Sequence, residues 1–347
     1  MLFYGLMACT RNELKPVTGA PSPAPLSAAS ESASPTPAPA ATTRVVTFEG
    51  TCDASDSVAL DDHRFVVVDD EDNLLRIYDA DRGGPALDVI DLTSGLGLDG
   101  KKAEADLEAC TRIGDTAYFL GSHARTSKGK RDASRLLFFA MSLPSEGRRA
   151  DLLGKPCHSL LDELFKHPAL VPFGLEKAAE LGPKEPGGLN IEGLTGLSDG
   201  SLVIGFRNPI PEGRALLVRL LNPSEVAQGK QPRLSAAIRL DLGGLGVREL
   251  STWRSRLLLI AGPSGNGGPF YLYSLSEDFS EEVRSSFDFT GYGPEGLFTP
   301  DARDSVLVLS DDGTMPIDGV PCKRVKEPAK KHFRGVWVEP PPRAKPG

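Results

Sequence analysis

Residues 191–195 read Ile191-Glu192-Gly193-Leu194-Thr195, a glutamate and a small residue at the start of an apolar run. Self-similarity at long, roughly regular spacing is typical of repeat folds, whose units stack to bury their apolar faces. The sequence therefore predicts five structural repeats. Altered copies of the pattern occur at Phe48-Glu49-Gly50-Thr51, Leu107-Glu108-Ala109-Cys110, Arg248-Glu249-Leu250-Ser251 and Pro294-Glu295-Gly296-Leu297.

A polar turn and a dense apolar run follow each glutamate. After Glu192 come the turn Asp199-Gly200 and the run Leu202-Val203-Ile204. This order indicates a hairpin leading into a strand that is buried on both faces. Further apolar runs add a third and a fourth strand in most units, and four strands per unit are typical of a propeller blade. We predict an all-β fold, a five-bladed β-propeller, with a sixth blade possible between Glu108 and Glu192.

The two ends of the repeat region complement each other. The last unit lacks an obvious fourth strand, whereas Arg44 to Phe48 has the pattern of a strand without a unit of its own. We therefore expect this strand to be the outer strand of the last blade, so that the propeller spans residues 44–338. Closure of the ring would then join the start of the domain to its end.

The terminal segments differ in composition from the repeats. Residues 1–9 are apolar and end in Leu6-Met7-Ala8-Cys9, which resembles the lipobox of bacterial lipoproteins. Residues 10–43 are rich in Pro, Ala and Ser, and residues 339–347 are rich in Pro, so both are expected to be disordered. We expect an exported protein of the bacterial cell envelope, on its periplasmic or surface side, that contacts the membrane only through a lipid on Cys9.

Charge limits the choice of partner. The formal net charge is −8 and the isoelectric point is near 5.3, which argues against a nucleic-acid partner. The basic cluster Lys323-Arg324 is interpreted as part of a solvated loop. We expect a monomer that binds a polar ligand or a protein partner.

Four cysteines lie within the repeat region: Cys52, Cys110, Cys157 and Cys322. Their spacing does not suit a zinc site. In an exported protein they can form disulfides, with three possible pairings, or they can remain buried thiols. We place Cys52 and Cys110 first among the pairs, since each follows the glutamate of its unit.

Propeller topology predicts which polar residues meet. If each glutamate opens an innermost strand, the five glutamates and the loops after the second strands lie at one end of the channel. Neighbouring carboxylates need a counter-charge, which Arg207, Arg112, Arg248 or a bound calcium or magnesium ion could supply. The alternative is that each glutamate caps backbone groups in its own blade. The predicted ligand-binding residues are Glu49, Glu108, Glu192, Glu249, Glu295, Arg207, Asn208, Asp70 and Asp311, with His123 a candidate base in the same loops.

The interval between Glu108 and Glu192 is the longest of the series. Within it, residues 159–165 and 175–181 have helical patterning bounded by proline. We expect a helical insertion over about residues 157–187 that partly covers the channel mouth.

The Glu-Gly-Leu units, with Gly205-Phe206-Arg207-Asn208-Pro209, resemble the bacterial family DUF3616. That resemblance implies a propeller without an established activity. A looser similarity links the Glu-Gly strand starts to phytase-like esterase propellers, whose acidic channel residues hold calcium. It implies metal ligands at Glu49, Glu192 and Glu295, where the Glu-Gly pair is intact.

Two functions follow from these predictions. In the first, the protein is a non-enzymatic, lipid-anchored binding module that uses the acidic face of the channel. In the second, it is a calcium-dependent phosphoesterase in which Arg207 stabilises negative charge and His123 or a bound water handles protons. We favour the binding module, because the sequence does not supply a complete catalytic set.

Overall fold

The computed structural model describes residues 44–98, 103–144, 149–280 and 282–342. The predicted signal segment 1–9, the linker 10–43 and the end of the tail, 343–347, lie outside the described residues. Within them, five four-stranded antiparallel sheets form five blades, which confirms the predicted propeller.

Apolar runs of the kind quoted above supply the strands of the first three blades. Blade 1 contains β2 Asp56–Ala59, β3 Arg64–Val68, β4 Leu74–Asp79 and β5 Asp88–Asp91. Blade 2 contains β6 Leu107–Ile113, β7 Thr116–Gly121, β8 Phe138–Ser142 and β9 Asp151–Cys157. Blade 3 contains β10 Asn190–Gly196, β11 Leu202–Asn208, β12 Ala215–Leu220 and β13 Leu234–Leu240.

Blade 5 is built from both ends of the described chain. Its order is β18, β19, β22 and then β1, so β1 is its outermost strand, as predicted. Blade 4 contains β14 Gly246–Trp253, β15 Arg256–Gly262, β16 Tyr271–Leu275 and β17 Glu282–Arg284. Blade 5 contains β18 Pro294–Phe298, β19 Val306–Ser310, β22 His332–Val338 and β1 Val45–Glu49, and its loop carries the short pair β20 Pro316–Ile317 and β21 Val320–Pro321.

The first strand of each four-stranded unit, β2, β6, β10, β14 or β18, contacts its counterparts in the two neighbouring blades, so these five strands line the channel. Five apolar clusters fill the spaces between neighbouring blades, including the space between blades 1 and 5. Stacked sheets thus bury their apolar faces on one another, and the ring is closed.

Helices are short and lie between or after strands. The described helices are α1 Leu160–Lys166, α2 Leu175–Ala178 and α3 Pro223–Ala227. Helices α1 and α2 fall in the predicted insertion, and Leu160, Leu164 and Leu175 join the apolar cluster between blades 2 and 3. The insertion is therefore part of the core. Among the described residues, none of the helices has the length and apolarity needed to cross a bilayer.

One disulfide joins Cys52 to Cys322. The predicted pair of Cys52 and Cys110 is therefore wrong. Cys110 lies in β6 and is a buried free thiol, and Cys157 is a half-buried free thiol. The disulfide links the segment before blade 1 to the loop of blade 5, beside the place where β1 closes the ring.

Candidate functional site

Four of the channel-lining strands carry an irregularity of pairing near their first residue. Register shifts bracket Glu108 in β6, Glu192 in β10, Arg248 in β14 and Glu295 in β18. Such a bulge adds one residue to the strand and re-aims its side chain. In blade 4 the bulged residue is Arg248. The sequence motif predicted Glu249, but Arg248, the residue before it, holds the position that the glutamates hold in blades 2, 3 and 5.

Glu108, Glu192 and Glu295 border a cavity of about 660 Å³ at one end of the channel. The cavity brings together most of the predicted ligand-binding residues and adds acidic and basic residues that the sequence did not single out. The predicted ones are Asp70, Glu108, Glu192, Arg207, Glu295 and Asp311, and the additional ones include Glu71, Glu104, Asp106, Arg135 and Lys323.

One wall of the cavity is an alternating chain of charges. Arg207 Nη1 lies 2.6 Å from Glu192 Oε1, and Arg248 Nε lies 3.0 Å from Glu192 Oε2. Arg248 also pairs with Glu295. All these groups except Glu295 are almost fully buried, and burial lowers the pKa of Arg248 to about 10. Arg207 and Arg248 are thus the counter-charges for this part of the ring, as the sequence allowed.

A second group of acids in the cavity has fewer counter-charges. Carboxylate oxygens of Asp70, Asp106 and Glu108 lie within 4.8 Å of one another. Arg135 pairs with Asp106 at 2.6 Å, whereas in the described chain neither Asp70 nor Glu108 forms an ion pair. Asp70 Oδ1 is buried without a hydrogen-bond partner there. This group of oxygen ligands could hold a metal ion.

Electrostatics at this group favour a bound cation. Burial raises the pKa of Glu108 well above its ordinary value, and the charges of Glu192, Asp106 and Asp70 raise it further. Burial and the Asp69 charge likewise raise the pKa of Asp70 well above the usual range. Protons or a cation must offset this repulsion, since close carboxylates cannot all ionise alone.

Glu49 does not line this cavity. It ends β1, the outermost strand of blade 5, and is exposed, so the structure places this predicted ligand and metal ligand outside the group of channel residues. The residue near the start of the channel-lining strand in blade 1 is Asp56, which is fully buried. Asp56 lies beside Glu249, which does not line the acidic cavity.

His123 lines a separate cavity of about 210 Å³ beside the helical insertion. Its Nδ1 lies 2.8 Å from the Gly121 carbonyl oxygen, and burial lowers its pKa to about 4. The structure thus places the candidate base His123 outside the acidic cavity. Arg112, another predicted counter-charge, binds the carbonyl oxygens of Leu60 and Gly114 and lines a third cavity, formed at the other ends of the channel-lining strands.

The helical insertion forms part of the acidic cavity, as expected. Residues Gly182 to Glu185, which follow α2, line it. Asn208 holds this loop, because its side-chain amide donates to the carbonyl oxygens of Pro183 at 3.0 Å and Glu185 at 2.7 Å. Asn208 is thus a positioning residue for the cavity wall and does not itself line the cavity.

Lys323 was missed because its neighbours in sequence indicated a solvated loop. Its Nζ lies 3.3 Å from Glu71 Oε1 at the edge of the acidic cavity. The adjacent Cys322 carries the disulfide to Cys52, which brings this loop to the channel mouth. The sequence signal for Lys323 was its position next to a cysteine. That signal places Lys323 at the cavity only if Cys322 is known to pair with Cys52.

Comparison with known proteins supports the family resemblance. The model of the family described as "Protein of unknown function (DUF3616)" matches residues 138–289, which run from β8 in blade 2 to the segment after blade 4. The predicted resemblance to DUF3616 is confirmed over that segment. No curated protein matches the sequence significantly.

Several solved structures resemble the fold at low identity. A putative glucose dehydrogenase from Thermus thermophilus is 14% identical, with a TM-score of 0.44, over 85% of this chain and 100% of that one. The PQQ-bound aldose sugar dehydrogenase of Streptomyces coelicolor is 10% identical, with a TM-score of 0.40, over 87% and 100%. Glutaminyl cyclase of Myxococcus xanthus is 8% identical, with a TM-score of 0.41, over 85% and 95%. Likeness at this level assigns no activity to this chain.

Proposed function

We propose that this protein is a non-enzymatic binding module that takes a divalent cation, calcium, in its acidic cavity and through it a polar ligand or protein partner. The observation that carries the proposal is the convergence of Asp70, Asp106 and Glu108 on one cavity wall. Calcium takes six to eight oxygen ligands in flexible geometry, so three carboxylates leave positions for water and for a ligand. The cavity is large enough for both.

Export and anchoring belong to the same proposal. The disulfide of Cys52 with Cys322 supports an oxidising compartment, where such bonds persist. In this proposal Cys9 carries the lipid, residues 10–43 act as a spacer, and a monomeric propeller stands at the periplasmic or surface side of the envelope. The acidic cavity would then face the surrounding medium, where calcium is available to a site of modest affinity.

The phosphoesterase alternative receives less support from the geometry. Arg207 is engaged by Glu192 and by the Gly265 carbonyl oxygen, 3.1 Å from its Nη2. His123 lies in another cavity and is neutral at physiological pH because its pKa is about 4. A general base must reach the proton that it removes. The binding module requires neither residue to do chemistry.

A calcium titration followed by thermal unfolding tests the proposal. At calcium concentrations of about 100 Kd, binding stabilises the fold by about 2.7 kcal/mol, which for this size raises Tm by on the order of 5–10 °C. We expect Glu108→Gln to lose most of this shift. Asp88→Asn, which alters an acidic residue of β5 outside the cavity, serves as the control and should keep it.

A shift that is equal in wild type and Glu108→Gln, or no shift at all, would overturn the calcium assignment. Hydrolysis of a generic phosphoester that depends on calcium and is lost in Arg207→Ala would instead establish the enzyme. We expect no such turnover.

A further inference from the structure

A second group of carboxylates lies next to the first. Oxygens of Asp53, Asp70 and Glu71 lie within 4.8 Å of one another, and Asp70 belongs to both groups. Asp53 is only 4% exposed, yet its Oδ2 has no hydrogen-bond partner among the described residues. A carboxylate oxygen buried without a donor is costly, so this arrangement points to a partner that is a cation.

The disulfide anchors the segment that carries Asp53. Asp53 follows Cys52 directly, and Lys323 follows Cys322, so the bond clamps the loop of blade 5 onto the segment that enters blade 1. Two backbone hydrogen bonds continue the clamp: Asp312 N donates to the Cys52 carbonyl oxygen at 2.9 Å, and Lys323 N donates to the Gly313 carbonyl oxygen at 3.0 Å. The position of the Asp53 segment relative to the blade 5 loop therefore depends on a cross-link between distant parts of the chain.

Lys323 is a basic side chain at the edge of this group. Its Nζ pairs with Glu71, and its side chain remains 43% exposed. Burial and the charges of Asp311, Asp69 and Glu71 raise the pKa of Asp53 to about 8, and the Lys323 charge acts in the opposite direction. The Lys323 ammonium thus serves as a counter-ion at the edge of the carboxylate group. Because its side chain is flexible, the ammonium can move away from the carboxylates.

We propose that Asp53, Asp70 and Glu71 form a second site for a hard divalent cation, that the Cys52–Cys322 disulfide holds the Asp53 segment at this site, and that Lys323 competes with the ion. Asp70 belongs to both proposed ion sites. The inference therefore rests on the proposed function, which supplies the first ion. Oxygen-only ligands select calcium, with magnesium the weaker competitor where geometry is flexible.

Isothermal titration calorimetry of the oxidised protein with calcium chloride tests the inference. Wild type is expected to bind two ions per chain and Asp53→Asn one. In Lys323→Met the second ion should bind up to about fivefold more tightly, since an exposed ion pair contributes up to about 1 kcal/mol. The Cys52→Ser/Cys322→Ser variant should lose the second ion and keep the first, and Asp88→Asn, the control, should bind two.

The outcomes separate this inference from the proposed function. One ion in wild type, unaffected by Asp53→Asn but lost in Glu108→Gln, overturns the second site and leaves the first. One ion lost in Asp53→Asn and kept in Glu108→Gln supports the second site and overturns the first. Absence of binding overturns both. If Asp53→Asn does not fold, as judged by near-ultraviolet circular dichroism, Lys323→Met decides, because unchanged affinity in that variant overturns the inference.

Discussion

At the scale of single residues, the channel holds its acids in two different ways. Near the cavity, glutamates alternate with Arg207 and Arg248. Away from it, Asp56 and Glu249 are both fully buried and lie beside each other. Asp56 also accepts from the backbone N–H of Cys110 at 2.5 Å, and Glu249 accepts from the Ser251 hydroxyl at 2.8 Å. Two buried carboxyls so close cannot both ionise, so we infer that they share a proton.

The pair makes stability depend on pH. Burial raises the pKa of Asp56 from 3.8 to about 8, and burial together with the Asp56 charge raises that of Glu249 well above its ordinary value. Because the folded pKa values are the higher ones, the folded state binds more protons than the unfolded state. The stabilisation is therefore full below pH 3.8 and is lost as pH rises through about 8.

We expect Glu249→Gln to weaken this dependence, since the amide keeps a donor for Asp56 and does not titrate. Urea unfolding should show that the free energy of unfolding falls less between pH 5 and pH 9 in the variant than in wild type. The two slopes should differ by up to about 1.4 kcal/mol per pH unit in the titrating range. Glu212→Gln, at an exposed position, is the control. Equal losses in wild type and Glu249→Gln would contradict the shared proton.

Residue patterns predicted only part of the site, because a motif does not show whether its strand is the innermost or the outermost strand of a blade. Glu49-Gly50 and Glu192-Gly193 are alike in sequence, yet Gly50 has φ +108° and follows the last residue of β1. Gly193 lies inside β10, where an added Cβ would come within 2.7 Å of Val247 Cγ1 in blade 4. In that unit the glycine allows neighbouring blades to approach, whereas in the other it turns the chain.

At the scale of elements, β1 is the strand whose placement has the largest consequence. Its pairing with β22 runs from Val45 opposite Val336 to Glu49 opposite His332. Phe48 is fully buried and stacks on Phe333 with ring centroids 4.9 Å apart. It also meets Phe65 and Tyr78 of blade 1, each at 5.3 Å, so one side chain ties blade 5 to blade 1. The sequence predicted this strand because the last unit was one strand short.

We expect Phe48→Ala to destabilise the protein by about 3–5 kcal/mol, the range for truncating a fully buried aromatic side chain. Val45→Ala, in the same strand but 45% exposed, should cost less than about 1 kcal/mol. Guanidinium unfolding of the two variants makes the comparison. Similar midpoints would mean that β1 contributes little to closure of the ring.

At the scale of the whole molecule, the fold was easier to predict than the site. Five units with one pattern defined a ring, because each unit can bury its apolar faces only on its neighbours. The site depends on contacts between segments that are distant in sequence, such as Asp70 with Glu108 and Lys323 with Glu71. Four cysteines allow six single pairs, and no local pattern distinguished Cys52–Cys322 among them.

The disulfide and β1 close the ring at neighbouring places, so removal of the disulfide tests how much closure depends on it. Cys52 and Cys322 are separated by 270 residues, and a cross-link over so long a loop removes much entropy from the unfolded chain. We expect Cys52→Ser/Cys322→Ser to lose about 2–5 kcal/mol, a fall in Tm on the order of 10 °C. Cys157→Ser, which alters a half-buried free thiol, should change Tm little. Equal Tm values in the double variant and wild type under non-reducing conditions would show that β1 and the aromatic cluster close the ring without the bond.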